Sequence, residues 1–324
     1  MITKSALFVE NPIVSIIIPS YNRANTVCQT IDSILNQKCN FDFEIVIGDD
    51  CSTDNAREVL LEYQKKYPQH IILLFHDKNI GLGANWASCA KLCRGKYVTN
   101  CDNDDYWHNP NKLQLQVSFM ESHPEYGVCH TDFRTHNRET KQITEVVVSN
   151  DAFEIPLQKA IFSGKFKYCN ATMMYRQELS DRCVNLNDYI NYQFTLQDWN
   201  TWVILSHYTD FYCLPVSTAT IGIETESITR TKSYDKIEER FKKEKECYQY
   251  VCNLFPNDFP YVESEYNDYV YLVLLNLAFK QKDYRKANQF GKKIGNKSVK
   301  VVCSQNRILF WIFFFFKQVR KSQS

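Results

Sequence analysis

Val14-Ser15-Ile16-Ile17-Ile18-Pro19 is a continuous apolar run closed by a proline. A strand with one wet face would alternate, so this pattern predicts a strand buried on both faces. Working outward, Asn25–Gln37 carries Val27, Ile31, Ile34 and Leu35 on one helical stripe. Glu44–Gly48 (EIVIG) is the next strand, and Ser52 is expected to cap a helix reaching Tyr67. Ile71–His76 (IILLFH) is a third strand, Gly83–Arg94 a third helix stopped by Gly95, and Lys96–Cys101 a fourth strand. Strand and helix alternate three times, which predicts an α/β fold with a mainly parallel sheet and right-handed crossovers.

Beyond Pro124 the pattern loosens. Gly127–Phe133, Ile143–Ser149 and Tyr168–Arg176 are expected as strands, Asp198–His207 as a helix and Phe211–Ile223 as a further strand. From Tyr234 onward the period is helical, ending in a hairpin of helices around Lys282-Asp283-Tyr284. A single such pair, with no period behind it, is not a repeat array. The boundary is placed near Glu224, giving domains of 1–223 and 224–324 from 324 residues, in line with a prior of about 150 residues per domain.

Composition excludes several classes. With 44% hydrophobic and 23% charged residues the chain is an ordinary globular protein. A net charge of +1 argues against a nucleic-acid binder, yet the charge is unevenly placed. From Lys280 to the end there are twelve basic residues and one acid, Asp283, whereas the preceding 279 residues hold 26 basic and 36 acidic ones. An acidic body and a basic tail imply two different surfaces to meet. Thirteen cysteines include no C-x-x-C, and Met1-Ile2-Thr3-Lys4 has no apolar signal-peptide core. Free thiols in a reducing cytosol are therefore expected. No run reaches the roughly 20 apolar residues of a membrane span.

In an open parallel sheet, ligands bind beyond the carboxyl ends of the strands. There the sequence places Ser20-Tyr21-Asn22-Arg23, Asp49-Asp50, Asp77-Lys78-Asn79 and Asp102-Asn103-Asp104-Asp105. Helix capping accounts for one Asp per loop. It does not account for two after the second strand and three after the fourth, which would repel unless something cationic or hydrogen-bonding sits between them. A D-x-D such as Asp102-Asn103-Asp104 suits Mg²⁺ or Mn²⁺, completed by water and phosphate oxygens. Gly81-Leu82-Gly83 has Trp86 where a dinucleotide motif needs its third glycine, and no P-loop is present.

These motifs together resemble a glycosyltransferase of family 2 with the GT-A fold, of the kind that builds bacterial cell-surface polysaccharides or glycolipids. The resemblance rests on Val14–Arg23, Glu44–Asp54, Asn79–Asn85, Gly95–Val98 and Asp102–Trp107, and more thinly on Met174-Tyr175-Arg176 and Gln197-Asp198-Trp199. It implies a Rossmann-like, mixed but mainly parallel sheet flanked by helices, with a helical extension that the family does not cover. It implies metal-dependent transfer of a sugar, with inversion, from a nucleotide-diphosphate donor to a saccharide or lipid-linked acceptor. In this reading Tyr21 stacks on the base and Asp50, with Asp49, accepts from it. Asp102 meets the ribose, Asp104 holds Mn²⁺ or Mg²⁺, and Asp198 is the general base. Pro19, Arg23, Asn79, Asn85 and Asn103 complete the nucleotide-sugar site. Relatives commonly have Gly-Ser where Cys51-Ser52 stands, a change expected to be harmless, and Glu-Asp where Gln197-Asp198 stands. A non-catalytic sugar-nucleotide-binding or scaffold subunit is the alternative. Four acids kept together, Asp50, Asp102, Asp104 and Asp198, favour the enzyme.

Trp107, His108 and Trp199 are candidates for sugar contacts or for edge packing, and Arg230 for closing over the diphosphate. The segment Arg307–Lys317 sets nine apolar residues between positive ends, with Arg320 and Lys321 beyond. Such a stretch (residues 307–321) suits an anionic membrane surface or, being apolar all round, packing into a core or a dimer interface. A cytoplasmic protein is expected, and in the first reading one peripheral at the inner face of the membrane.

Overall fold

The computed structural model describes residues 1–3, 9–148, 156–223 and 231–295. Ser149, Glu224, Arg230 and the 307–321 segment lie outside the described residues. Contacts divide the chain into two units, Met1–Thr225 and Glu226–Ser324.

The first unit opens with the short strand β1 (Ile2–Thr3), followed by β2 (Val14–Ser20), α1 (Val27–Leu35), β3 (Phe43–Asp49), α2 (Ala56–Lys66), β4 (Ile71–Phe75), α3 (Leu82–Ala90) and β5 (Tyr97–Asn100). β6 (Tyr106–Trp107), α4 (Lys112–Ser122), β7 (Tyr126–Asn137), β8 (Ile143–Val146) and α5 (Leu157–Phe162) come next. A 3₁₀ turn at Asn170–Thr172 leads into β9 (Met174–Arg176), α6 (Gln177–Cys183), α7 (Leu186–Tyr192), α8 (Gln197–Leu205) and β10 (Asp210–Ile223). The sheet runs β1-β4-β3-β2-β5-β9-β7-β10-β6, with β8 on the flank of β7. β4, β3, β2 and β5 are parallel neighbours. β9 enters antiparallel between β5 and β7, so β7 runs in the direction of β5, and β10 pairs parallel with β7. The sheet is mixed and mainly parallel, with helices flanking it.

Burial explains the arrangement. All seven residues of β2 and of β3 are buried, as a continuous apolar run between two helix layers requires. Ile16, Ile18, Ile45, Ile47 and Leu73 meet Val27, Ile31, Ile34 and Leu60 from the helices in one core. The charge in this core is compensated: buried Glu44 accepts from the Ser15 hydroxyl (2.6 Å), the Arg94 backbone (2.7 Å) and the Arg94 guanidinium (2.7 Å).

Three sequence expectations are corrected, and one helix was not anticipated. Ser52 does not cap α2; the helix starts after Asn55, and Asp54 Oδ1 takes the Ala56 N–H at 3.1 Å. Gly95 is no helix stop, since α3 ends at Ala90. A side chain at Gly95 would instead strike the Ser15 backbone nitrogen at 2.6 Å, so glycine is needed for close passage. Tyr168–Arg176 is a strand only over its last three residues, the 3₁₀ turn having taken the middle. α4 carries little apolar periodicity and gave no sequence signal.

The second unit contains α9 (Tyr234–Leu254), α10 (Glu263–Lys280) and α11 (Tyr284–Lys293). α10 and α11 form the expected hairpin, with Lys282 at φ 58° and the Asp283 side chain capping α11 through Lys286 N–H at 3.0 Å. Ile237, Phe241, Leu272, Leu274, Leu275, Ala278 and Phe290 make a separate core. Among the described residues no helix is long and apolar enough to cross a membrane. Twelve cysteines among them are free thiols.

Candidate active site

Register aligns the loops. Ser20 pairs with Asp49, Asp49 with Phe75, and Ile17 with Asn100. The segments after β2, β3 and β5 therefore leave the sheet on one edge. The first two are stitched together: Asn22 N–H donates to Ser52 Oγ (3.0 Å), Thr53 N–H to Asn22 Oδ1 (2.7 Å), and Ala24 N–H to Asp54 Oδ2 (3.0 Å). Both turns use left-handed backbone at non-glycine residues, Asn22 at φ 51° and Cys51 at φ 62°. Cys51 is thus a residue with a Cβ in a backbone conformation that favours glycine.

The residues expected at this edge divide into surface and support. Tyr21 is 46% exposed and its ring is open to a ligand. Asn79 is also exposed. Asp50 is buried, and its two oxygens accept from Ile80 N–H (2.7 Å) and Gly81 N–H (2.9 Å). Pro19 lies within β2, paired with Gly48. Asn103 donates to Ser20 Oγ at 3.1 Å, fastening the D-x-D loop beside β2. Asp49 and Asn85 turn inward instead. Asp49 is 0% exposed, and its Oδ2 takes Arg57 Nε at 2.6 Å and Ser52 N–H at 3.2 Å. Asn85 bridges Gly48 O (2.8 Å) and the His76 ring (3.1 Å), joining α3 to β3. Both shape the loops from beneath.

The acids of Asp102-Asn103-Asp104-Asp105 meet cations and backbone brought from far along the chain. Arg23 reaches Asp104 Oδ2 at 3.3 Å. Arg138 donates to the Asp104 carbonyl at 2.5 Å, and Gly222 N–H to Asp105 Oδ1 at 3.0 Å. Gly222 must be glycine here, since a Cβ would lie 2.7 Å from both Arg138 and the Asp104 carbonyl. Burial pushes the Asp102 carboxyl up to about 7, with the charges of Asp104 and Asp198 adding to it and a hydrogen bond from Asn170 opposing it. Burial likewise raises Asp105 and Asp198, and backbone N–H groups at the start of α8 partly offset the rise in Asp198. The Tyr168 hydroxyl stands 3.5 Å from Asp198 Oδ2. Asp198, distant in sequence, therefore lies within the field of the D-x-D.

Whether a divalent cation fits is tested by the oxygens. Among the described residues no group of three His, Cys, Asp or Glu side chains could hold a metal. A cation bound with a diphosphate needs only one or two carboxylates. Asp102 Oδ1 is a buried acceptor with no partner among the described residues, and the carboxyls of Asp102, Asp105 and Asp198 are held above their ordinary range. Hard oxygen donors and unbalanced negative charge fit Mn²⁺ or Mg²⁺.

Trp107, His108 and Trp199 are packing residues. Trp107 Nε1 donates to Ala171 O (3.0 Å) and Trp199 Nε1 to Ile161 O (3.2 Å), while His108 lies on Thr220 and Ser217. Arg138, Tyr168 and Asn170 escaped the sequence reading, because a partner 30 to 70 residues away leaves no spacing signal. Arg57, eight residues from Asp49, escaped it as one more basic residue on a helix. Asp105 stood in the quoted D-N-D-D run without a role of its own.

The sequence model of glycosyl transferase family 2 matches residues 15–183, just over half of the chain. The putative teichuronic acid biosynthesis glycosyltransferase TuaG of Bacillus subtilis is 36% identical over 109 residues, 34% of this chain and 42% of that protein. The putative glycosyltransferase EpsE of the same organism is 29% identical over 165 residues, 51% of this chain and 56% of that protein. An uncharacterised Mycobacterium bovis protein matches at 37% over 115 residues; the match spans 36% of this chain and a third of that relative's length. Among solved structures, S. aureus TarS 1–349 superposes with a TM-score of 0.55 at 18% identity, covering 92% of this chain and 86% of that one. The Pyrobaculum calidifontis mannosyltransferase PcManGT, solved with GDP-Man and Mn²⁺, gives 0.53 at 14% identity over 93% of this chain and 81% of that one. At such identities the likeness establishes the fold, which is GT-A. By the extent of the family match, this chain belongs to glycosyl transferase family 2.

Proposed function

We propose that this protein transfers a sugar, with inversion, from a nucleotide-diphosphate donor to a hydroxyl of a saccharide or lipid-linked acceptor, and that it requires Mn²⁺ or Mg²⁺. The observation that carries this reading is the convergence of Asp102, Asp104 and Asp198 within one electrostatic field at the carboxyl edge of the sheet. TarS has been solved with UDP-GlcNAc and PcManGT with GDP-Man and Mn²⁺, which supports a nucleotide sugar as the donor class.

The roles follow from placement. The exposed Tyr21 ring offers a face for the base, and Asp50, fixed by two backbone donors, retains lone pairs for the base N–H groups. Asp102 and Asn103 lie where the ribose enters, and Asp104 is the carboxylate for the metal. A bound Mn²⁺ or Mg²⁺ would stabilise the negative charge that accumulates on the leaving diphosphate. Arg23, already on Asp104, orients that carboxylate. Asp198 takes the proton of the acceptor hydroxyl as its oxygen bonds to the anomeric carbon and the diphosphate departs from the opposite face. A carboxylate whose pKa is raised by burial is a better base than one in water, and general base catalysis is worth roughly 10²–10⁴ in rate. The basic, aromatic 307–321 segment suits contact with an anionic membrane surface, where a lipid-linked acceptor would be found.

The test is donor turnover. With Mn²⁺ and a panel of UDP-, GDP-, CDP- and dTDP-sugars, the wild-type protein should release nucleoside diphosphate from one class. Asp198→Asn should lower this by at least about 10²-fold while leaving donor affinity within a few-fold. Asp198→Asn turning over at the wild-type rate would remove Asp198 from the base role.

A further inference from the structure

Lys112 is a lysine with 0% exposure and no carboxylate partner among the described residues, a few positions beyond the D-x-D loop in sequence. A buried ammonium without a counter-ion is costly, so its surroundings must supply the compensation. They do so through three side chains. Lys112 Nζ donates to Gln116 Oε1 (2.6 Å) and to Thr99 Oγ1 (3.3 Å), and lies 4.3 Å from the centre of the Trp107 ring.

Each of those three side chains passes the constraint to the same place. Trp107 Nε1 donates to Ala171 O (3.0 Å), Gln116 Nε2 to Thr172 O (2.8 Å) and Thr99 Oγ1 to Met173 O (2.7 Å). Three consecutive carbonyls are thus held by three partners of one buried lysine. The turn they belong to starts at Asn170. Asn170 Oδ1 accepts from Asn100 Nδ2 at 3.4 Å, and Asn100 Oδ1 accepts from Trp86 Nε1 at 2.8 Å. Asn100 is the last residue of β5, two positions before Asp102, so the relay ties the turn to the strand end from which the D-x-D loop leaves.

We propose that Lys112 is a positioning residue for the donor site: through Trp107, Gln116 and Thr99 it fixes the Asn170–Met173 turn, which in turn sets Asn170 against Asp102. The proposal rests on the reading of Asp102 and Asp104 as the metal–diphosphate site. It predicts a separation of fold from function. Lys112→Met keeps the length of the side chain and removes the cost of burying an amine, while the acceptor left unpaired at Gln116 offsets part of that gain. What it removes is the hub.

The experiment measures Mn²⁺ affinity, by the free-ion EPR signal, in the presence of UDP, GDP, CDP or dTDP. The probe is the one the wild-type protein holds. Lys112→Met should keep a wild-type melting temperature and lose about tenfold in affinity, the scale of outer-shell substitutions at metal sites. Asn170→Ala, at a half-buried position that the fold tolerates, should lose a similar factor, and the double variant should lose no more than either alone. Val117→Ala, on the same helix but outside the network, should lower the melting temperature without changing affinity. Wild-type affinity in Lys112→Met, wild-type affinity in Asn170→Ala, or fully additive losses would each overturn the proposal while leaving the site reading intact. If Lys112→Met does not fold, Asn170→Ala decides. A wild-type protein that holds Mn²⁺ with none of the four nucleotides would overturn the site reading, and this inference with it.

Discussion

Arg57 and Asp49 form the ion pair on which the loop after β3 depends. Asp49 is fully buried and Arg57 a third exposed, so removing the guanidinium strands a charge rather than merely losing a contact. Arg57→Met should cost about 2 kcal/mol in urea unfolding, discounted for the exposure of the arginine, and Arg57→Met/Asp49→Asn should recover part of it. Cys51 gives the opposite expectation. Its φ of 62° is strained for a residue with a Cβ. Cys51→Gly should raise stability by about 0.5 kcal/mol, the left-handed penalty less the entropy a glycine loses on folding. A lower urea midpoint would contradict that account of the turn. Both cases show what a sequence conceals at this scale. Asp50 and Asp102 announce themselves as acids at strand ends, but nothing local tells that Asp49 points inward to Arg57 while its neighbour stays at the site.

Among elements, β2 and β3 were legible because burial on both faces writes an unbroken apolar run. α4 was not, since its buried side includes Lys112 and Gln116, polar residues whose partners come from β5, β6 and the turn before β9. The strand expected over Tyr168–Arg176 failed for a related reason: three side chains from elsewhere claim the carbonyls that a ladder would have used. Lys112 also carries a pH signature. Burial lowers its pKa to about 7, with the thiols of Cys101, Cys129 and Cys169 nearby. In the unfolded chain its pKa is about 10.4. Between these values the unfolded state binds more protons, so stability rises with pH in that window. Relative to Lys112→Met, the wild-type protein should gain up to about 1.4 kcal/mol per pH unit above pH 7. A stability difference that stays constant from pH 7 to 8.5 would contradict it.

At the scale of the molecule, the motifs of the first 120 residues sufficed to indicate the family and the fold, because each sits at a strand end where its side chains matter. Asp198 was legible only through the family resemblance, as a lone acid opening a helix. The basic end of the chain carries a separate expectation: the protein should sediment with vesicles containing anionic lipid, and a chain ending at Gln305 should not. Equal sedimentation by both would remove residues 307–321 from that role.

The central claim is that the acids at the carboxyl edge of the sheet form a metal-dependent nucleotide site. Its most direct test is the melting temperature of the wild-type protein with UDP, GDP, CDP or dTDP, each in Mn²⁺ and in EDTA. A nucleotide at about 100 times its dissociation constant adds roughly 2.7 kcal/mol to stability. One nucleotide should therefore raise the melting temperature by several degrees in Mn²⁺ and far less in EDTA. The same melting temperature under all eight conditions would contradict the account.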